Sequence, residues 1–129
     1  MVSVAASAST EDVRVVVVDD DPDAAFTLRD LLQFDGYNVR VAHNAEEALV
    51  AVAEHQPLCV LLDIGLPGMD GNQLARELRA QHGASLVLVA VTGLGGEQNR
   101  LEAVRAGVDH VLVKPVDPKR LGTLLPPID

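Results

Sequence analysis

Four stretches of this chain are continuous apolar runs rather than alternating patterns, broken only by Arg14, and they limit the possible fold more than any other feature of the sequence. They are VRVVVVD (13–19), LCVLLD (58–63), SLVLVAVT (85–92) and HVLVK (110–114). A strand with one solvent-exposed face alternates apolar and polar side chains, whereas a strand covered on both faces is apolar along most of its length. The runs therefore predict strands of a parallel sheet with other elements packed on both of its faces.

A fifth strand and five helices complete the pattern. The segment YNVRVA (37–42) alternates apolar with polar side chains, which is typical of a half-exposed strand at the edge of a sheet. Helix starts are indicated by Asp21–Pro22, by Asn44 with Glu47 in the spacing of a capping box, and by Asp117–Pro118. The remaining two helices are predicted in DGNQLARELRAQHG (70–83) and EQNRLEAVRAG (97–107). The strand–helix unit thus occurs five times, which predicts a doubly wound α/β fold with an open parallel sheet, since crossovers are right-handed.

Length and charge narrow the class of protein. A chain of 129 residues with 48% apolar residues suits one folded domain. We expect residues 13–127 to form it and residues 1–12 to be a flexible leader or linker remnant. The formal net charge of −9 argues against direct nucleic-acid binding and against docking on anionic membranes. No apolar run reaches the roughly 18 residues that a membrane-spanning helix requires.

The cysteine and histidine content gives further limits. Cys59 is the only cysteine, so a disulfide within the chain is excluded and a reducing, cytoplasmic setting is expected. Its place in an apolar run favours a small buried side chain over a reactive thiol. The four histidines lack the spacing of metal ligands, so a histidine-based metal site has little support.

The unusual polar residues all follow strands. Asp19–Asp21 follows the first strand, Asp63 ends the third, Thr92 the fourth and Lys114 the fifth. The carboxyl ends of parallel strands meet at one edge of the sheet, where open α/β folds bind their ligands. We therefore expect these side chains to form one site.

The acidic residues of this site favour a hard cation. Asp20 and Asp63 would face each other across the first and third strands, and converging carboxylates suit Mg²⁺ with several retained waters. Turn residues in DIGLPGMDG (63–71) would keep the backbone close enough to aim a carbonyl at the ion. The alternative for the aspartate run alone is a solvated turn with a helix cap, and for Asp63 an ordinary turn.

The remaining site residues favour phosphoryl chemistry. A carboxylate can act as a covalent nucleophile, and we assign that role to Asp63 because its strand is central. Mg²⁺, the Lys114 ammonium and the Thr92 hydroxyl would neutralise charge on the phosphoryl oxygens. A lysine that ends a buried strand is unusual unless it pairs with an anion, and the bond before Pro115 is a candidate for the cis form. Taken alone, Thr92 is also compatible with an ordinary β-branched strand residue.

In this order and spacing, the residues resemble a response-regulator receiver domain of two-component signalling. The resemblance rests on Asp19 and Asp20, on Asp63 in DIGLPGMDG, on Thr92 in VTG and on Lys114–Pro115, and it covers about residues 13–127. It implies a flavodoxin-like (βα)5 three-layer sandwich with the strand order 2-1-3-4-5. The local sequences LLDIGLPGMDG and HVLVKPVD also resemble those of receivers attached to hybrid histidine kinases.

The resemblance implies a role for each site residue. Asp63 would accept a phosphoryl group from a histidine kinase or a histidine phosphotransfer protein. Asp20, Asp63 and the Gly65 carbonyl would bind Mg²⁺, with Mn²⁺ as a substitute, and Asp19 would help through a water molecule. The side chains implied to contact the phosphoryl oxygens are Thr92 and Lys114.

The activity implied is that of a cytoplasmic switch, which signals to a downstream protein, rather than that of an enzyme that turns over a metabolite. Two alternatives remain: a pseudo-receiver that binds proteins without taking phosphate, and a haloacid-dehalogenase-type phosphatase. The sequence departs from the receiver pattern at Val111, where family members commonly carry Tyr or Phe. The face on which family members often pair would carry Glu102, Arg105, Asp109 and Arg120.

Overall fold

The computed structural model describes residues 13–64, 70–93 and 96–125. Strands and helices alternate along these segments as the apolar pattern predicts. The elements are β1 (Arg14–Val18), α1 (Pro22–Phe34), β2 (Asn38–Ala42), α2 (Ala45–His55), β3 (Cys59–Asp63), α3 (Gly71–His82), β4 (Val87–Thr92), α4 (Glu97–Arg105), β5 (His110–Val113) and α5 (Pro118–Leu124). Both the predicted leader at residues 1–12 and the last two residues of the predicted domain, 126–127, lie outside the described residues.

The five strands form one parallel sheet in the order β2-β1-β3-β4-β5, which confirms the predicted topology. In this register Val18 lies opposite Leu62, so the residues after β1 and the end of β3 reach the same edge. Asp63 lies opposite Val91, and Thr92 follows at the end of β4. The register alone therefore brings three of the strand ends together.

Each central strand contributes to two cores. In β1, Val16 and Val18 pack on one side of the sheet, while Val15 and Val17 pack on the other, and all four are at most 1% exposed. The continuous apolar run of β1 is thus explained by helices on both faces. Burial of these side chains fixes where the strand ends and where the aspartates begin.

The two edge strands differ from this pattern. The prediction that 37–42 forms an edge strand is confirmed, since β1 is the only described strand that pairs with β2, and its Asn38 is exposed. The run at 110–114 was expected to be covered on both faces, yet β5 is the opposite edge strand, with His110 exposed and Val113 half exposed. An apolar run does not tell whether a strand has one neighbour or two.

Side-chain caps set the start of three helices as predicted, and at the start of α5 the Asp117 carboxylate accepts the Lys119 N–H at 2.9 Å. An Asp21 oxygen accepts a hydrogen bond from the Asp23 N–H at 3.1 Å, and an Asn44 oxygen accepts one from the Glu47 N–H at 2.8 Å. The return bond of the capping box differs, because Glu47 accepts the N–H of His43, at 2.9 Å, rather than that of Asn44. The α2 cap therefore also fixes the backbone of His43.

At the amino end of the sheet, Arg79 joins three backbone segments. Its guanidinium donates to the carbonyls of Gly83, Leu86 and Gly107 and to the Asp109 carboxylate at 2.7 Å. The same Asp109 oxygen accepts the N–H of Leu88 at 2.8 Å. The carboxylate of Asp109, a residue expected on the pairing face, is held by this network and remains 43% exposed.

Candidate functional site

Asp63 and Lys114 meet at the carboxyl end of the sheet. The Lys114 Nζ donates to Asp63 Oδ2 at 2.9 Å and lies 3.7 Å from Asp19 Oδ2. Both carboxylate side chains are only 13% exposed. A lysine at the end of this strand therefore has the anionic partner that its position in the sequence demands.

Three carboxylates converge beside this lysine. One oxygen from each of Asp19, Asp20 and Asp63 lies within 4.8 Å of the others. With Lys114, three carboxylates and one ammonium carry a formal charge of −2 when all are ionised. Both the charge and the all-oxygen donor set fit a hard divalent cation.

Asp19 is held at its backbone and at its side chain. Its N–H donates to the Ala42 carbonyl at 3.0 Å, and its Oδ1 accepts the N–H of Asp21 at 3.0 Å. The pKa of Asp19 is raised mainly because burial removes water from the carboxylate, and Asp63 and Asp20 add to this by repulsion. The Asp21 N–H and Lys114 act in the opposite direction and offset part of the rise.

Lys114 is held by the strand and by the acids. Its N–H donates to the Thr92 carbonyl at 2.8 Å, and the following bond to Pro115 is cis, as the sequence suggested. The hydrogen bond to Asp63 raises the pKa of Lys114 against the opposing effect of partial burial, and the nearby charges of Asp63, Asp19 and Asp20 raise it further. The ammonium therefore stays charged at neutral pH.

Thr92 ends β4 between the other strand ends. It is 6% exposed, and it lies opposite Val113, the residue before Lys114. Val111, in the position of the usual aromatic side chain, is partly buried against the core on one side of the sheet. The structure thus brings a hydroxyl, an ammonium and the three acids to a single edge.

Gly71, the first residue of α3, lies against the end of β3. The Gly71 N–H donates to the Ile64 carbonyl at 3.2 Å, and a Cβ at this position would lie 2.2 Å from the Ile64 Cα. Only glycine allows this approach, which anchors α3 next to Asp63. Gly65, whose carbonyl was predicted as a metal ligand, lies outside the described residues.

Sequence reasoning missed one contact of this site. The His43 ring, at the junction of β2 and α2, places Nδ1 3.3 Å from the Asp19 carbonyl oxygen. Its ring also contacts Phe26 edge to face, with the centroids 5.6 Å apart. The only local signal was its position directly after an edge strand, which also describes many loop residues without any role.

Comparisons with known proteins agree with this fold. The family model of the response regulator receiver domain matches residues 15–125. The transcriptional regulatory protein AruR of Pseudomonas aeruginosa is 42% identical over 113 residues, which are 84% of this chain and 46% of AruR. An uncharacterised 14.6 kDa protein of Leptolyngbya boryana is 40% identical over 83% of this chain and 82% of its own length.

Solved structures show the same architecture. The response regulator receiver domain protein (CheY-like) from Methanospirillum hungatei matches with a TM-score of 0.80 and 31% identity, over 86% of this chain and 88% of that one. The chain therefore belongs to the response regulator receiver domain family of two-component signalling, as the resemblance implied. This is a family of signalling switches, and membership in it favours the receiver interpretation over the phosphatase alternative.

The chain spans less than half the length of AruR. Within the described segments, no helix combines the length and the apolar character needed to cross a bilayer.

Proposed function

We propose that this domain accepts a phosphoryl group on Asp63 from a histidine kinase or a histidine phosphotransfer protein. The observation that carries the proposal is the pairing of Asp63 with Lys114 at 2.9 Å inside a cluster of three carboxylates. A nucleophilic carboxylate needs a cation beside it to accept a phosphoryl group that is itself negative. Family membership supports the same chemistry.

In the proposed transfer, an Asp63 oxygen forms a bond to phosphorus while the phosphorus–nitrogen bond of the donor's phosphohistidine breaks. The nitrogen keeps the electron pair of that bond. The chain contributes mainly position and charge: Lys114 remains beside Asp63 and faces the transferred oxygens, and Thr92 offers its hydroxyl from the neighbouring strand.

Mg²⁺, with Mn²⁺ as a substitute, fits the same site. Asp20 and Asp63 would hold the ion directly together with the Gly65 carbonyl, and Asp19 would act through water. A bound divalent cation would neutralise the excess of negative charge and stabilise the phosphoryl oxygens during transfer. The formal charge of −2 on the described side chains supports this assignment.

An apolar groove beside the site suits the donor protein. A cavity of about 620 Å³ lies between α1 and the segment after β5, with Asp19 and Lys114 at one end and Leu28 and Leu31 along its wall. Leu31 is 43% exposed. Because the donor histidine must reach Asp63, the surface next to the site is where its protein has to dock, and we assign this groove to a helix of the donor.

The proposed role is that of a cytoplasmic switch. The domain at residues 13–127 would catalyse only its own phosphorylation and dephosphorylation and then signal to a downstream protein, without direct contact with nucleic acid or membrane. It would act as a separate regulator or as the receiver of a hybrid histidine kinase. To move a population from 1:99 to 99:1, phosphorylation has to favour one conformer by about 5.5 kcal/mol.

Intact mass after incubation with Mg²⁺ and acetyl phosphate tests the proposal. We expect the parent to gain one phosphoryl group, and we expect no gain with a chelator or in Asp63→Asn. The matched control Asp35→Asn, which removes an exposed carboxylate at the other end of the sheet, should gain it like the parent. If neither acetyl phosphate nor a phosphorylated histidine protein labels the parent, the chain is a pseudo-receiver and the proposal is wrong.

A further inference from the structure

The peptide group between Asp19 and Asp20 lies just beyond the hydrogen bonds of the sheet. The last such bond of β1 runs from the Asp19 N–H to the Ala42 carbonyl at 3.0 Å. Asp20 itself is exposed, so packing does not fix its carboxylate. The direction in which Asp20 leaves the strand therefore depends on what holds this peptide group.

His43 is the side chain in contact with it. Its Nδ1 lies 3.3 Å from the Asp19 carbonyl oxygen. A carbonyl oxygen only accepts hydrogen bonds, so Nδ1 must carry the hydrogen in this contact. Consecutive residues, Ala42 and His43, thus hold the N–H and the carbonyl of Asp19 from the same side.

The position of the His43 ring is itself fixed from two directions. Its backbone N–H is bound by Glu47, which belongs to the α2 cap. Its ring meets Phe26 of α1 edge to face at an interplanar angle of 89°, and the Arg29 guanidinium lies 4.8 Å from the centroid of the Phe26 ring. The backbone of His43 is therefore held by α2, and its ring packs against α1.

We propose that His43 is a positioning residue of the cation site. By donating from Nδ1 to the Asp19 carbonyl, it orients the peptide group that carries Asp20 and so sets the distance between Asp20 and Asp63. This inference rests on the proposed magnesium site, and it adds a residue that touches neither the ion nor the phosphoryl group. Partners that orient metal ligands in this way are worth about 10-fold or more in metal affinity.

Two substitutions separate the hydrogen bond from the ring contact. His43→Phe keeps an aromatic ring against Phe26 but removes the donor. His43→Asn loses the ring, but its amide nitrogen stands at the position of Nδ1 and can still donate to Asp19. The matched control is His55→Phe, because the His55 Nε2 also contacts a backbone carbonyl, that of Asn38 at 3.1 Å, at the far end of the sheet.

The measurement is the Mg²⁺ dissociation constant by calorimetry, together with the thermal midpoint of each variant without metal. We expect His43→Phe to raise the dissociation constant about 10-fold. We expect His43→Asn and His55→Phe to stay within about twofold of the parent, since neither removes the donor to Asp19. If His43 had a purely structural role, the variants with the lowest thermal midpoints would also be the ones that bind Mg²⁺ most weakly.

The outcomes distinguish this inference from the proposed function. If the parent binds Mg²⁺ and His43→Phe binds it equally well, His43 is not a positioning residue, while the proposed function stands. If His43→Asn weakens binding as much as His43→Phe, the ring and not the hydrogen bond matters, and the inference is again wrong. If the parent binds no Mg²⁺ and takes no phosphoryl group from acetyl phosphate, both proposals fail together.

Discussion

Arg79 at the amino end of the sheet and Lys114 at the carboxyl end are the cations of two very different networks. Arg79 donates to three backbone carbonyls and one carboxylate, so its donors and their acceptors satisfy one another. Lys114 faces Asp63 and Asp19, with Asp20 nearby, and one ammonium cannot balance three acids. The first network stabilises the fold, whereas the second leaves negative charge in excess, which supports the proposed cation site.

If the amino end is the stabilising end, removing Arg79 should have the largest effect on the free energy of unfolding. Arg79→Ala removes the guanidinium donor from the carbonyls of Gly83, Leu86 and Gly107 and leaves the Asp109 carboxylate with the N–H of Leu88. We expect a loss of about 2–4 kcal/mol in urea denaturation. Arg76→Ala removes an exposed arginine of the same helix and should change stability by less than about 0.5 kcal/mol. Equal losses in the two variants would contradict the comparison.

The two ends of β3 carry ionisable side chains in very different surroundings. Asp63 ends the strand beside a lysine, whereas Cys59 begins it with no exposed surface, and burial raises the pKa of the Cys59 thiol to about 12, with a smaller contribution from Asp109. A raised pKa means stability that is present below the unfolded value of 9.0 and is lost as the pH rises toward 12.

We therefore expect the parent to lose about 2 kcal/mol of unfolding free energy between pH 7.5 and pH 10.5 from this group alone. Cys59→Ala should lack this part of the pH dependence, although its stability at pH 7.5 falls because a small cavity forms. The measurement is urea denaturation of both proteins at the two pH values. Parallel losses in parent and variant would show that the thiol ionises freely within the fold.

The sequence predicts the residues of one end of the sheet better than those of the other, because the two ends differ in how far apart along the chain their contacting residues lie. The carboxyl end follows from local signals, since an apolar run that stops at an acid, a threonine or a lysine marks a strand end, and parallel strands bring such ends together. The Arg79 network has no such signal, because Asp109 is 30 residues away and the other acceptors are backbone carbonyls, which every residue has.

Two differences between the predicted and the observed structure also depend on contacts that the local sequence does not specify. The coverage of β5 depends on its place at the edge of the sheet, which the run HVLV does not encode. The bond from Glu47 to His43 in place of Asn44 depends on the path of the chain from β2, which capping preferences do not specify. The roles of the site residues stay predictions, because they concern an ion and a phosphoryl group: Asp19, Asp20, Asp63, the Gly65 carbonyl, Thr92 and Lys114.

The rate of phosphotransfer from a protein donor tests whether the exposed surfaces at the two ends of the sheet differ. Leu31 beside the site and Leu58 at the amino end are each 43% exposed, which makes Leu31→Glu and Leu58→Glu a matched pair. We expect Leu31→Glu to slow transfer from a phosphorylated histidine kinase about 10-fold, equivalent to about 1.4 kcal/mol, since a charge would be buried in the donor interface. Labelling by acetyl phosphate should stay unchanged, and an equal effect of Leu58→Glu would remove the docking assignment.

The smallest expected effect is a gain of stability at the carboxyl end. Asp20→Asn removes one of three crowded carboxylates and should raise the free energy of unfolding by up to about 1 kcal/mol without metal. Added Mg²⁺ should stabilise the parent but not this variant, because binding stabilises a fold only through an intact site. Asp35→Asn is the control, and a loss of stability in Asp20→Asn would show that the acids are not in repulsive excess.

Strand β1 lies between β2 and β3, and its four valines are almost entirely shielded from solvent. Backbone amides in such a strand exchange hydrogen for deuterium only when the whole domain opens, whereas the amides of loops exchange through local fluctuations. The acids at the end of β1 thus stand at a boundary between the slowest and the faster exchanging parts of the chain. We expect the proposed phosphorylation to change the exchange of the peptide that contains these acids, while the preceding peptide from β1 serves as an unchanged internal reference.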